Sequence, residues 1–182
     1  MIDRLTKTFR GAEHGSLSVE AVFAFPMMVI AITMTFVIWD AFKTLNSSQN
    51  ATYTVADMLS RQTTPVDADY LTSMHEIFNF LSDGAGGNAL RVSVVTMTED
   101  PETLVRTKVL VWSKGVGGIN GYADLKPLGN RVPDMAVGDE LIVVESEQNW
   151  APAFNVGLSG YRFRDVEISR PRFAPQLVWS DV

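Results

Sequence analysis

From Ala21 to Trp39 the chain reads AVFAFPMMVIAITMTFVIW, nineteen residues without a charge. As a helix at about 1.5 Å per residue, this run is about 29 Å long, the thickness of a bilayer's hydrocarbon core. The run predicts one membrane-spanning helix near the N-terminus. A cleavable secretory signal is the alternative, but its apolar region is usually about 7 to 15 residues, and no small-x-small cleavage site follows Trp39. Arg4, Lys7 and Arg10 precede the run, whereas Asp40 and Lys43 cancel just beyond it. By the positive-inside rule, which counts lysine and arginine rather than net charge, this places the N-terminus in the cytoplasm and exports the residues beyond the span. Pro26 lies inside the span, where it removes one backbone bond and can kink the helix, a defect that membrane helices tolerate.

Glu20 stands at the start of this span, where a carboxylate is costly in lipid unless it reaches the interface or meets a cation. One reading is that it sits at headgroup level in the first helical turn, where the helix dipole favours a negative charge. Its neighbours point further. The segment Gly15-Ser16-Leu17-Ser18-Val19-Glu20 puts the acid five residues after a glycine, between a basic leader and an uncharged helix. This arrangement resembles a prepilin peptidase site, at which cleavage after Gly15 would leave Ser16 as the new N-terminus. In that family the glutamate is thought to pair with the N-terminal ammonium of a neighbouring subunit. VEAVFAFPMMVIAI, including Pro26, narrows the resemblance to TadE/TadG-like proteins, minor pseudopilins of tight-adherence (Flp-type) pilus machines. The signature covers about residues 11 to 45, and Tyr53 to Arg61 resembles the juxtamembrane helix of such proteins. The resemblance implies Gly15 and Ser16 as processing residues and Glu20 and Pro26 as assembly residues. It implies prepilin peptidase, other pseudopilins and pilus-assembly proteins as partners, and the bacterial inner membrane as location, with a periplasmic C-terminal domain.

Beyond residue 39 the composition is that of one modest domain. Of 182 residues, 46% are hydrophobic and 20% charged, enough for a span plus one core but cramped for two. Residues 1 to 39 are charge-balanced, so the formal net charge of -6 lies downstream and argues against a nucleic-acid partner. No cysteine occurs, which removes disulfides and thiolate chemistry.

Phe42, Leu45, Val55, Met58 and Leu59 fall among polar residues without glycine or proline, so the membrane helix is expected to continue as an amphipathic stalk, with a local break at Asn46 to Asn50. Asp67 or Asp69 caps a second helix over 67 to 82, with Leu71, Met74, Ile77, Phe78 and Leu81 on one face. Asp83 to Asn88 ends it. The β-branched runs Leu90 to Met97 and Leu104 to Ser113 then read as a hairpin, with Leu110 and Trp112 alternating with Val111. Lys114 to Gly138 reads as an ordered loop, and Glu140 to Gln148 and Tyr161 to Ser169 as two more strands. Helices first and strands after give an α+β class, a small antiparallel sheet packed with a helix, which is also what pilin-like proteins resemble. The expected organisation is a basic leader at 1–15, a transmembrane helix at 16–39, a stalk at 40–64 and a periplasmic α+β domain at 65–182.

Little in this sequence carries catalytic chemistry. His14 and His75 are expected on opposite sides of the membrane, so they form no pair, and His75 reads as a packing residue. Glu145 and Glu147 share a strand face, most simply a solvated one. Asp67, Asp69 and Asp83 lack a calcium-loop pattern. Gly115 to Gly121 lacks the lysine of a phosphate loop, and Ser159 lacks a nucleophile-elbow spacing. No cofactor and no metal are expected. Trp150, Phe154, Tyr161, Phe163, Phe173 and Trp179 read mostly as core or loop anchors, with Trp179 the best placed for a partner protein. Arg162, Arg164, Arg170 and Arg172 read as a solvated strand face. The expected function is that of a non-enzymatic minor pseudopilin; the alternative is a membrane-anchored periplasmic binding module unrelated to pili.

Overall fold

The computed structural model describes residues 14–82 and 87–181, with side chains from residue 19 onward. Residues 1–13 of the leader, with Arg4, Lys7 and Arg10, the side chain of Ser16, and Asp83 to Gly86 of the expected turn lie outside the described residues. The chain is α+β: helix α1 (His14–Ser60), helix α2 (Ala68–Leu81), and strands β1 (Ala89–Glu99), β2 (Arg106–Val116), β3 (Glu140–Trp150) and β4 (Tyr161–Ser169) in one antiparallel sheet of order β2-β1-β3-β4. The chain divides into two compact units.

The first unit ends at Ala41 in the chain and also takes in Pro152–Ser159. Its helical residues from 19 to 36 are exposed, apart from Thr33, although they are nearly all apolar. Thr33 and Thr35 donate their hydroxyls to the carbonyls of Val29 and Ala31, each at 2.8 Å. Such back-bonding hides the only two hydroxyls of the apolar run. Pro26 lies within the helix without ending it.

The second unit is Phe42–Ala151 with Gly160–Val182. One face of its sheet presents Leu90, Val92, Val94, Ile142 and Val144 to Ala51, Val55, Ala56 and Leu59 of α1 and to Leu71, Met74 and Phe78 of α2. The four-residue spacing of the α1 set makes one stripe, as an amphipathic helix requires. The opposite face, with Val95, Met97, Leu141 and Val143, is covered by Leu128, Val132 and Met135 of the β2–β3 connection.

The expected break at Asn46 to Asn50 does not occur; α1 is continuous to Ser60. Two of the five polar residues that argued for it, Ser47 and Ser48, are used in tertiary hydrogen bonds, as is Thr52 one turn further on. Ser48 donates to Asp165 at 2.6 Å, the Thr52 and Ser146 hydroxyls share a 2.6 Å bond, and Ser47 donates to the Leu81 carbonyl at 3.0 Å. Bonds of this kind outweigh the few tenths of a kcal/mol lost to weak helix propensity. Phe42, expected on the packing face, is exposed, while Ser48 and Thr52 are buried there instead.

Asp67 is the N-cap of α2, accepting from the Tyr70 N–H at 2.8 Å. The hairpin differs from expectation at three points. Leu104 is part of the turn, not the strand, with φ 52°, and the Asp100 carboxylate caps that turn by accepting from the Glu102 and Thr103 N–H groups. Those backbone bonds, the Glu102 one first, hold the Asp100 carboxyl below its ordinary range. A register shift between Val94 and Val95 leaves Val111 without an opposite residue, since Val94 pairs with Trp112 and Val95 with Leu110. This bulge sends Leu110 to one face of the sheet and Trp112 to the other. β2 also runs on to Val116, opposite Leu90.

Candidate functional site

Two features of the molecule are candidates for function, the apolar helix with Glu20 and a charged cleft on the second face of the sheet. Glu20 is exposed, one residue before the apolar run and inside the same unbroken helix as Gly15 and Pro26. Length and composition make this helix compatible with a single-pass membrane anchor.

The charged cleft forms where the β2–β3 connection stops covering the sheet. Arg91 on β1 and Glu145 on β3 are register partners, and the arginine Nη1 donates to Glu145 Oε2 at 3.0 Å. Glu145 Oε1 accepts from the Tyr122 hydroxyl at 3.2 Å and from Arg131 Nη1 at 3.5 Å. The Arg91 guanidinium lies 3.9 Å from the centre of the Tyr122 ring and donates its Nε–H to the Asn120 carbonyl at 2.8 Å. Burial, followed by the negative charge of Glu145, pushes the Tyr122 phenol above its ordinary value. Two residues along, Glu147 accepts from Arg162 and Arg164 of β4, both at 3.0 Å. The cleft beside these groups has a volume of about 260 Å³ and is lined by Arg91, Tyr122, Arg131, Glu145, Glu147 and Arg164.

Glu145 and Glu147 do share a face, as their spacing requires, but it is not a solvated one. Glu145 is 7% exposed because the connection carrying Tyr122 and Arg131 folds over it. Arginines must accompany a carboxylate so enclosed, because an unpaired buried charge is costly. The geometry makes Glu145 a tie that pins the connection to the sheet. The arrangement depends on close backbone approach: a Cβ at Gly121 would collide with the Ser113 carbonyl, while the Ser113 hydroxyl accepts from the Tyr122 N–H at 2.9 Å. The Gly115 to Gly121 stretch is thus the end of β2 followed by a packed loop.

The arginines at even spacing are exposed yet each carries an ion pair: Arg162 and Arg164 with Glu147, Arg170 with Asp139 and Arg172 with Asp57. Of the aromatic residues of the last third, Trp179 packs against the edge of the apolar core, whereas Phe154, Tyr161 and Phe173 are exposed; the one fully buried aromatic side chain among the described residues is Phe78. Trp179, expected to be open to a partner, is half-buried against Trp112 at 5.3 Å, with the Lys114 ammonium over its ring and its Nε1–H donated to Asp181. His75 is half-buried and bonds the Asn88 carbonyl at 2.9 Å. Among the described residues, no group of three or more His, Asp or Glu side chains could hold a metal ion.

Arg91, Tyr122 and Arg131 escaped the sequence reading. A charge inside a β-branched run, such as Leu90-Arg91-Val92, signals an opposite charge across the ladder, but naming Glu145 requires the strand order. No family model, curated protein or solved structure matches this chain.

Proposed function

We propose that this chain is a membrane-anchored, non-enzymatic minor pseudopilin that takes part in assembling a tight-adherence (Flp-type) pilus. On this reading it crosses the bacterial inner membrane once, with a cytoplasmic N-terminus and a periplasmic C-terminal domain. The observation that carries the proposal is Glu20, an exposed carboxylate five residues after Gly15 and directly before an uncharged, exposed helix. A charge there is stabilised if a neighbouring subunit delivers its N-terminal ammonium. Pro26, inside the same helix, leaves one backbone carbonyl unpaired and lets the helix adjust locally as subunits pack.

Replacing Glu20 with glutamine tests this directly. The variant is expected to insert and remain stable while pilus assembly fails. The mass of the mature N-terminus, measured from membranes with and without active prepilin peptidase, is expected to place it at Ser16 only when the peptidase is present. Normal piliation with Glu20→Gln would favour the second reading, an anchored periplasmic binding module. The exposed guanidiniums of Arg131 and Arg164 beside the charged cleft are what support that alternative.

A further inference from the structure

The apolar helix is not alone in the first unit. Phe154, in the connection between β3 and β4, packs its ring edge-on against Phe36 of α1, with centroids 6.1 Å apart. Phe36 also lies 6.3 Å from Trp39 in a tilted arrangement. Val37 in the same turn is 1% exposed, against a helix whose preceding residues are almost all open, so a segment other than the helix itself covers it. The connection Pro152–Ser159 carries no charge, and its Phe154 and Leu158 remain 52% and 40% exposed even though Phe154 touches the helix. Gly157, at φ 85°, lets it turn tightly, and the Asn155 side chain accepts from the Gly157 N–H at 3.3 Å.

An exposed phenylalanine and leucine on an uncharged loop are poorly suited to water. They suit the level at which they sit. On the anchor reading, Trp39 marks the interface and Phe36, three residues or about 4.5 Å further along the helix, lies just inside it, close to where interfacial segments bury their apolar side chains.

We infer that the β3–β4 connection, through Phe154 and Leu158, is a second membrane contact that enters the lipid interface beside the Phe36 turn of α1. This inference rests on the anchor reading of α1. The occupant is the bilayer itself, because the apolar surface of the loop is continuous with that of the helix at the Phe36–Phe154 contact.

The absence of cysteine makes the test clean, since one introduced thiol labels one position. The full chain carrying Phe154→Cys, or Leu158→Cys in a second variant, is labelled with an environment-sensitive nitrobenzoxadiazole probe and reconstituted into vesicles of phosphatidylethanolamine and phosphatidylglycerol. Glu102→Cys in the β1–β2 turn and Ile30→Cys in the apolar helix serve as references. The loop probes are expected to emit to the blue of the Glu102 probe, to resist iodide and to be quenched by nitroxides borne on lipids near the headgroup. Loop probes as open to iodide as the Glu102 probe, with the Ile30 probe shielded, would overturn the inference while leaving the anchor intact. An Ile30 probe equally open to iodide would remove the anchor and the inference together.

Discussion

The Thr52 hydroxyl of α1 lies 2.6 Å from the Ser146 hydroxyl of β3, with both residues buried. Thr52 also reaches the Ser48 carbonyl at 2.8 Å, so one threonine connects the helix to the sheet and to its own preceding turn. Replacing it with valine keeps the shape but leaves Ser146 without its partner, an expected loss of about 1 to 3 kcal/mol. Denaturant titration of the full chain in detergent, followed by near-ultraviolet circular dichroism, measures this. Thr52→Val combined with Ser146→Ala should cost less than the sum of the two single changes; additive costs would show that the hydroxyls do not interact.

The two carboxylates of the charged face are expected to differ in weight. Glu145→Gln leaves Arg91, whose side chain is 15% exposed, without its countercharge, and should cost about 3 kcal/mol. Glu147→Gln faces arginines that are 52% and 70% exposed and should cost under about 1 kcal/mol. Equal effects in unfolding titrations of the two variants would contradict the role of Glu145 as the tie for the β2–β3 connection.

Gly121→Ala sets a methyl group against the Ser113 carbonyl. The backbone must move, lifting Tyr122 away from Glu145, at an expected cost of about 1 to 3 kcal/mol. Trypsin should then cut sooner after Arg131, which lies in the connection that Tyr122 helps to hold. Unchanged cleavage kinetics would mean that the connection is held independently of this contact.

Burial pushes the Glu140 carboxyl above its ordinary value of 4.5, partly offset by the Leu177 N–H that it accepts at 3.2 Å. The folded state therefore holds this proton more tightly than the unfolded state. The resulting stability is fully present below 4.5 and is lost as pH rises through the raised folded value. Glu140→Gln retains an acceptor for Leu177 and should flatten that decline, so the variant should gain on the parent as pH rises. Unfolding midpoints from about pH 4 to about pH 7 check this, and parallel profiles would show that Glu140 does not govern the slope.

The elements of this protein were legible in its sequence because their signals are local. Nineteen uncharged residues define an apolar helix by length alone, Asp67 is positioned to cap α2, and the β-branched runs at 90, 140 and 161 emerge as strands within a residue or two of the expected ends. Faces were harder to assign. One bulged residue, Val111, reverses the pleat between Trp112 and Leu110, and a period-two pattern carries no mark of where such a residue falls. Asn46 to Asn50 signalled a break because propensity counts only the local cost, whereas the bonds that hold this stretch helical reach Leu81 and Asp165.

The sequence alone determined the apolar span, the acid that precedes it and the order of helices before strands, since each depends on residues adjacent in the chain. Tertiary structure decided which charges meet. Arg91 and Glu145 are 54 positions apart, and only the placement of β3 beside β1, with the β2–β3 connection folded over both, turns two isolated charges into a buried pair.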